Sequence, residues 1–391
     1  MRRGFALGAA SVALFLSLWV WLPAPIRPLL PLSVGAPEVS VWLIVMGALT
    51  ASLGWMSRRR RLGRVAFGMS IAAILLPLTV LIRLPGTVRA FDREMEAGLG
   101  PDYLATVPPL MHARLRERPI RVRELFFGRP EGSSRRERAI SFAVADGYDL
   151  SLDIYRPTDV GPWPVVVQIY GGGWREGSPS DHGEAARSLA GAGYVVYAID
   201  YRHAPRWRWP AQRDDVTRAL RWIGDHAREH GGDAARMALL GRSSGAQLAF
   251  VAAAAPDVPA IGAIIALYSP VDLEHAYRNP PVPDTLDIRR LERDLIGGSP
   301  DDFRDAYREA SPITTAAGAH PPVLLIAAGR DRIIRPESLR RLDAKLDEHG
   351  TSVLLTIPWA DHGFDAVGFG PSAQLSAYYT ERFLAWALTR R

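Results

Sequence analysis

The pentapeptide Gly241-Arg242-Ser243-Ser244-Gly245 ends one apolar run, MALLG, and opens another. Its outer glycines permit a tight turn from strand to helix with the Ser243 hydroxyl at the apex. The helix N-terminus behind it offers amides and positive potential. Ser244 lacks a glycine two positions before and two after, so Ser243 is the residue in register. The structural alternative is a helix-capping serine in a glycine turn. A serine hydroxyl is scarcely ionised at neutral pH and needs a base. Among nine histidines, His362 alone sits just past the last strand-like run and before the C-terminal helix, with Gly363 after it. An imidazole base needs an acid to fix its tautomer and stabilise its charged form. Asp331, two residues after Gly329 at the end of another strand-like run, supplies it, with Glu337 and Asp361 as substitutes.

The chemistry these side chains would perform is acyl transfer through a covalent intermediate, which also needs donors for an oxyanion. Tyr170-Gly171-Gly172-Gly173-Trp174 follows the strand-like PVVVQIY. The N–H groups of Gly172 and Gly173, with that of Ser244, are the expected donors. A phosphate cradle is the rival reading, but no Gly-Lys-Ser/Thr follows the glycines. Tyr170, Trp174, His203 and Trp207, with Trp209, are candidates to line a substrate pocket. His226 and His230 lie four apart, a metal-ligand spacing, but no third ligand accompanies them.

These residues need a scaffold that brings strand ends together. AISFAV and DLSLDIY, joined at Asp146-Gly147, read as a hairpin. Six further short apolar strands follow: 164–170, 194–200, 237–241, 261–268, 322–329 and 352–358. Helical stretches alternate with them at His182–Ala190, Ala211–Glu229, Ser244–Ala255, Pro336–His349 and Ser372–Leu388. Apolar strands alternating with helices indicate a mostly parallel sheet covered on both faces. The expected fold class is therefore α/β: about eight strands, the first two antiparallel, over residues 138–391.

The segments YGGGW, DYRHAPRWRWPA, GRSSGA, GRDRIIRP and ADHGF resemble those of α/β-hydrolase esterases and lipases of the hormone-sensitive-lipase-like and acetyl/feruloyl-esterase-like groups. The resemblance covers 139–391 and implies Ser243, Asp331 and His362, in that chain order, as a catalytic triad. Tyr170 stands where the family usually has the histidine of HGGGW, which bears on the geometry of the loop more than on the reaction. Asp200-Tyr201-Arg202 and Pro210, Ala211 and Asp215 match structural motifs of the family. Residues 270–312, with two short helices and a proline-rich loop, resemble the inserts that cap such sites. The resemblance also implies no metal or organic cofactor.

Residues 1–83 are a different material. They hold nine arginines against one acid, Glu38, a net +8; the other 38 basic and 40 acidic side chains net −2. The overall +6 is therefore no general sign of a nucleic-acid partner. Uncharged apolar runs at 4–22, 40–56 and 65–82 give expected membrane helices at about 4–22, 39–56 and 65–83, each near the roughly 20 residues that cross a bilayer. A signal peptide and a buried soluble bundle are the alternatives. Arg2, Arg3 and the arginines at 58–61 and 64 set the expected orientation. By the positive-inside rule the N-terminus is cytoplasmic, and three crossings leave the hydrolase on the extracytoplasmic face of a multi-pass membrane protein. Residues 84–137 read as a transition, exposed at 129–138. The chain has no cysteine, which excludes disulfides and thiolate chemistry.

The expected function is a membrane-anchored serine carboxylesterase or lipase acting on a small-molecule or lipid ester. An envelope acyltransferase with the same triad, a serine peptidase and a catalytically silent membrane module are the other readings. No nucleic-acid partner is expected.

Overall fold

The computed structural model describes residues 2–129 and 134–389. Three N-terminal helices pack together: α1 (Arg2–Leu18), α2 (Ser40–Met56) and α3 (Arg61–Leu99). Small residues face inward. Ala6, Ala10, Ala13, Ala51, Ala66 and Ala73 are buried, and Ser17 Oγ donates to the Ala73 carbonyl at 2.8 Å. A Cβ on Gly54 would lie 2.7 Å from the backbone of Phe67, so α2 and α3 touch almost directly there. Large apolar side chains such as Phe5, Phe15, Leu49, Trp55, Leu75 and Ile82 face outward and are exposed. A water-soluble bundle has the opposite arrangement.

These helices depart from the expected spans in two ways. The first ends at Leu18, and Trp19–Trp21 continue in turns. The third does not end at 83. It runs through Pro77 and Pro85 to Leu99, so the expected transition at 84 lies inside one 39-residue helix. Its outer half is held by packing: Phe91 meets Tyr379 edge to face, and Met95 is fully buried. Among the described residues α3 is the one helix long and apolar enough to cross a membrane alone. Between α1 and α2 a short helix, Leu30–Glu38, meets α2 at an 85° bend.

The rest of the chain is built on one eight-stranded sheet of order β1-β2-β4-β3-β5-β6-β7-β8. The strands are β1 (Ser134–Ala145), β2 (Tyr148–Pro157), β3 (Trp163–Ile169), β4 (Val195–Ile199), β5 (Gly232–Arg242), β6 (Ile261–Leu267), β7 (Val323–Ala328) and β8 (Ser352–Ile357). β1 and β2 form the expected hairpin, with Asp146 and Gly147 both at positive φ. β2 is antiparallel to both neighbours and every other pair is parallel, so β2 alone opposes the sheet direction. β1 begins inside the expected linker because its charges pair across the hairpin. Arg136 meets Asp153 at 2.6 Å and Arg156 meets Glu137 at 2.7 Å. Residues 130–133 of that linker lie outside the described residues.

Every residue of β3, β4 and β7 is buried, as for strands covered on both faces. The covering helices are α4 (Gly183–Gly191), α5 (Ala211–His226), α6 (Ser244–Ala253), α7 (Pro336–Asp347) and α8 (Pro371–Ala387). The 270–312 insert carries three short helical pieces rather than two, at Leu273–Arg278, Ile288–Ile296 and Arg304–Glu309, and a fourth, Pro312–Thr315, starts at its end. Asp272 and Asp287 cap the first two, accepting from the N–H groups of His275 and Arg290. The last two are too short to leave a periodic signal.

Candidate active site

Ser243 stands between β5 and α6 at φ 50° and ψ −124°, backbone space that costs a non-glycine residue about 1–3 kcal/mol. The flanking glycines make the turn possible. A Cβ on Gly241 would lie 2.3 Å from Ala246 Cα, and one on Gly245 would lie 2.3 Å from the Tyr170 carbonyl oxygen. The turn lifts the hydroxyl off the sheet to where the loops after β3, β7 and β8 converge.

The loop after β8 brings His362 to it. Nε2 lies 3.0 Å from Ser243 Oγ, and Nδ1–H donates to Asp331 Oδ2 at 2.7 Å. The other Asp331 oxygen accepts the N–H groups of Ile333 and Ile334, both at 2.8 Å, which fixes the carboxylate after β7. With Nδ1 protonated, Nε2 carries the lone pair that can accept the serine proton. Burial disfavours a charged His362, but the carboxylates of Asp331, Asp361 and Asp365 outweigh it and raise the imidazole above its ordinary value. The two substitute acids stand apart. Asp361 accepts the backbone N–H of His362 at 2.8 Å, and Glu337 pairs with Arg340 at the surface.

The loop after β3 passes beside the serine, where a Cβ on Gly171 would lie 3.0 Å from Ser243 Cβ. Gly172 has φ 143°, and a Cβ there would overlap the Glu176 carbonyl oxygen at 1.9 Å. Among the described residues the N–H groups of Gly172 and Gly173 have no protein acceptor. Ser244 is the first residue of α6, so its N–H has no intrahelical acceptor either. Three free donors beside Ser243 are what a developing oxyanion requires.

The pocket candidates divide. Trp174 is buried, donates to Gln247 at 2.8 Å and lines a chamber beside Ser243. Tyr170 does not line it. Its ring stacks on Tyr201 at 4.4 Å, and its hydroxyl meets Asp200 at 2.5 Å and His203 Nε2 at 2.8 Å. His203 thus supports the glycine loop from behind and is no pocket wall either. Trp207 packs edge to face on Tyr148, and Trp209 lies under Arg213; neither reaches the chamber. A tryptophan near a motif carries no sign of which way its ring turns. His226 stacks on Trp222, His230 approaches Glu137, and no metal-binding cluster of three or more ligand side chains occurs among the described residues.

Two spaces open at Ser243. One, about 90 Å³, lies under the insert between Trp174, Ile288, Leu291, Glu292 and Ile334. The other, about 440 Å³, is the mouth on the His362 side, bordered by Arg27, Glu176, His182, Arg242 and Tyr268. The sequence reading missed a network between them and the core. Arg242, next to Ser243, donates to Asp365 at 2.5 Å, and the Tyr268 hydroxyl also meets Asp365. The Tyr268 ring lies 4.7 Å from that of His362. Burial pushes the Asp365 carboxyl up, but Arg242 and His182 hold it down at about 2. Glu292, missed too, is a carboxyl in the small chamber. Burial raises it well above the usual range, and its Oε2 has no partner among the described residues. The signals were an arginine inside GRSSG and an aspartate three residues after His362, both unusual for a buried loop.

Known proteins share this architecture. The profile of the BD-FAE family matches residues 152–346. The chain is 32% identical over 248 residues to esterase LipC of Mycobacterium tuberculosis, covering 58% of this chain and 61% of that protein. It is 30% identical over 251 residues to the probable carboxylic ester hydrolase LipM of the same organism, covering 60% and 57%. The aligned region thus spans about three-fifths of the length of these relatives. A Pyrobaculum calidifontis esterase superposes with a TM-score of 0.57 at 23% identity, covering 71% of this chain and 98% of that one. A bacterial heroin esterase gives 0.56 at 24% identity, covering 74% and 99%. The strand order, the turn at Ser243 and these superpositions together establish the α/β-hydrolase fold.

Proposed function

We propose that this protein is a carboxylic ester hydrolase acting through Ser243, His362 and Asp331. The alignment of Ser243 Oγ, the His362 ring and the Asp331 carboxylate at 3.0 and 2.7 Å carries the reading. The similarity to esterases supports it. Ser243 Oγ attacks the ester carbonyl carbon while its proton passes to His362 Nε2. The N–H groups of Gly172, Gly173 and Ser244 hold the oxyanion. As the tetrahedral species collapses, His362 returns the proton to the departing alcohol oxygen, leaving an acyl-serine. Water then attacks, giving a proton to His362, and collapse restores the Ser243 hydroxyl and releases the acid.

The same proposal places α1, α2 and the first part of α3 in a membrane. Their small inward and large outward side chains support this beyond helix length alone. Arg58–Arg61 then lie at the cytoplasmic end and the hydrolase at the other.

The test is purified full-length protein assayed on p-nitrophenyl acetate. Ser243→Ala is expected to lower kcat by a factor on the order of 10⁴ or more and to abolish labelling by a fluorophosphonate probe. Turnover retained in that variant rules out the assignment.

A further inference from the structure

Residues 19–38 join the first two apolar helices, yet they touch the loops after β3 and β7, the insert, and the helix that follows the His362 loop. Arg330, beside Asp331, donates to the Val20 carbonyl at 2.5 Å and lies over the Trp21 ring. The Thr285 hydroxyl of the insert reaches the Ala24 carbonyl at 3.4 Å. Arg27 pairs with Glu176 of the glycine loop at 2.8 Å. Glu38 accepts from Ser372, at the start of the helix after the His362 loop, at 2.6 and 2.9 Å. The depth of this segment is marked as well. Trp21 donates to Thr79 of α3 at 2.9 Å and lies under Arg83. Tryptophan with arginine at the end of an apolar helix is the signature of a bilayer interface. Leu22 and Ile26, next in sequence, are 46% and 55% exposed.

The two spaces at Ser243 can be assigned by the proton. His362 must protonate the departing alcohol, so the alcohol lies on the His362 side, in the 440 Å³ mouth that Arg27 borders. The acyl group then takes the 90 Å³ chamber under the insert. That chamber is about a fifth the size of the mouth, which favours the smaller part of the ester on this side. Arg27, Arg175, Glu176, His182 and Arg242 bring polar groups to the mouth beside Leu286 and Leu291, and exposed Leu22 and Ile26 precede Arg27 in the chain.

We propose that this enzyme removes short acyl groups from hydroxyls of lipid headgroups at the membrane surface, with residues 19–38 forming the bilayer-side wall of the alcohol site. The proposal rests on the reading of Ser243 as nucleophile and of α1–α3 as membrane spans. The bond broken is the short-acyl ester. The acyl group leaves as the free acid, and the lipid keeps its hydroxyl.

The test uses full-length protein in phosphatidylcholine vesicles with two acetates: an acetylated octadecyl glucoside held in the bilayer and acetylated methyl glucoside in solution. The tailed acetate is expected to have a kcat/KM about tenfold or more above the soluble one. Dioleoylglycerol should release no oleate. Replacing Leu22 and Ile26 together by Asp should lower the tailed-to-soluble ratio by about tenfold; Arg27→Ala serves as a second variant and should lower it too. Equal rates on the two acetates, oleate release, or a ratio unchanged in both variants overturns the proposal. Failure of the esterase reading is distinguishable, because Ser243→Ala would then leave turnover of the soluble acetate intact.

Discussion

In the proposed reaction the chemistry turns on His362, and its environment fixes a pH dependence. Three carboxylates favour its charged form over its neutral one, so its pKa lies above the ordinary histidine value. The base must be neutral, and protonation removes it as pH falls. The acid limb of kcat/KM on p-nitrophenyl acetate should therefore be centred above pH 6.5, and a limb below that value contradicts the geometry. Asp331→Asn should remove both the tautomer lock and the largest favourable charge. It is expected to lower kcat by a factor on the order of 10⁴; a loss under tenfold would mean that Asp361 substitutes for it. Ser243, Asp331 and His362 were legible because each needs a specific neighbour or strand end, which spacing reveals. The side chains that support them were not. Tyr170 and His203 look like pocket residues in sequence, yet they brace the glycine loop from behind, because the turn of a ring is set by packing.

At the scale of elements, the sheet was legible and the helix ends were not. Apolar strands advertise themselves by composition. The outer half of α3 carries mixed charge, and its sparse apolar spacing (Val88, Phe91, Met95, Leu99) becomes meaningful only against β8 and α8. The insert was blurred for the same reason, since its short helices are held by caps and contacts. Between elements, the Arg242–Asp365 pair ties the nucleophile turn to the loop carrying His362. Both side chains are buried, so removing one partner strands the other. Asp365→Ala is expected to cost about 3–5 kcal/mol in urea unfolding. Combining it with Arg242→Met should recover much of the loss. A single variant as stable as the parent would show that the pair is not a structural tie.

At the scale of the whole molecule, Glu38 joins the apolar region to the hydrolase. Burial raises it from 4.5 to about 8, although the Ser372 hydrogen bonds act the other way. Between those values the folded protein holds a proton that the unfolded chain has lost. Its stabilising contribution is thus fully present below about 4.5 and disappears as pH rises toward 8. The melting temperature of the full chain should fall more steeply from pH 5 to 8 than that of Glu38→Gln. Parallel curves would place no coupled proton at this contact. The split of charge at residue 83 anticipated two materials; that a buried acid is among the contacts joining them was invisible until the fold joined positions 38 and 372.

The continuity of α3 has a further consequence. Sixteen residues, Leu84–Leu99, continue the proposed membrane span in one helix through Pro85, a stalk of about 24 Å whose far end packs against the hydrolase. A domain on a flexible tether can wander and turn over. One on a rigid stalk is confined to searching a plane, with its entrance held at one height and one heading. Any lean of the stalk, such as a change in bilayer thickness imposes, swings that entrance toward or away from the lipid surface. With the proposed membrane placement, bilayer thickness thereby becomes a physical control on which molecules the proposed active site can reach.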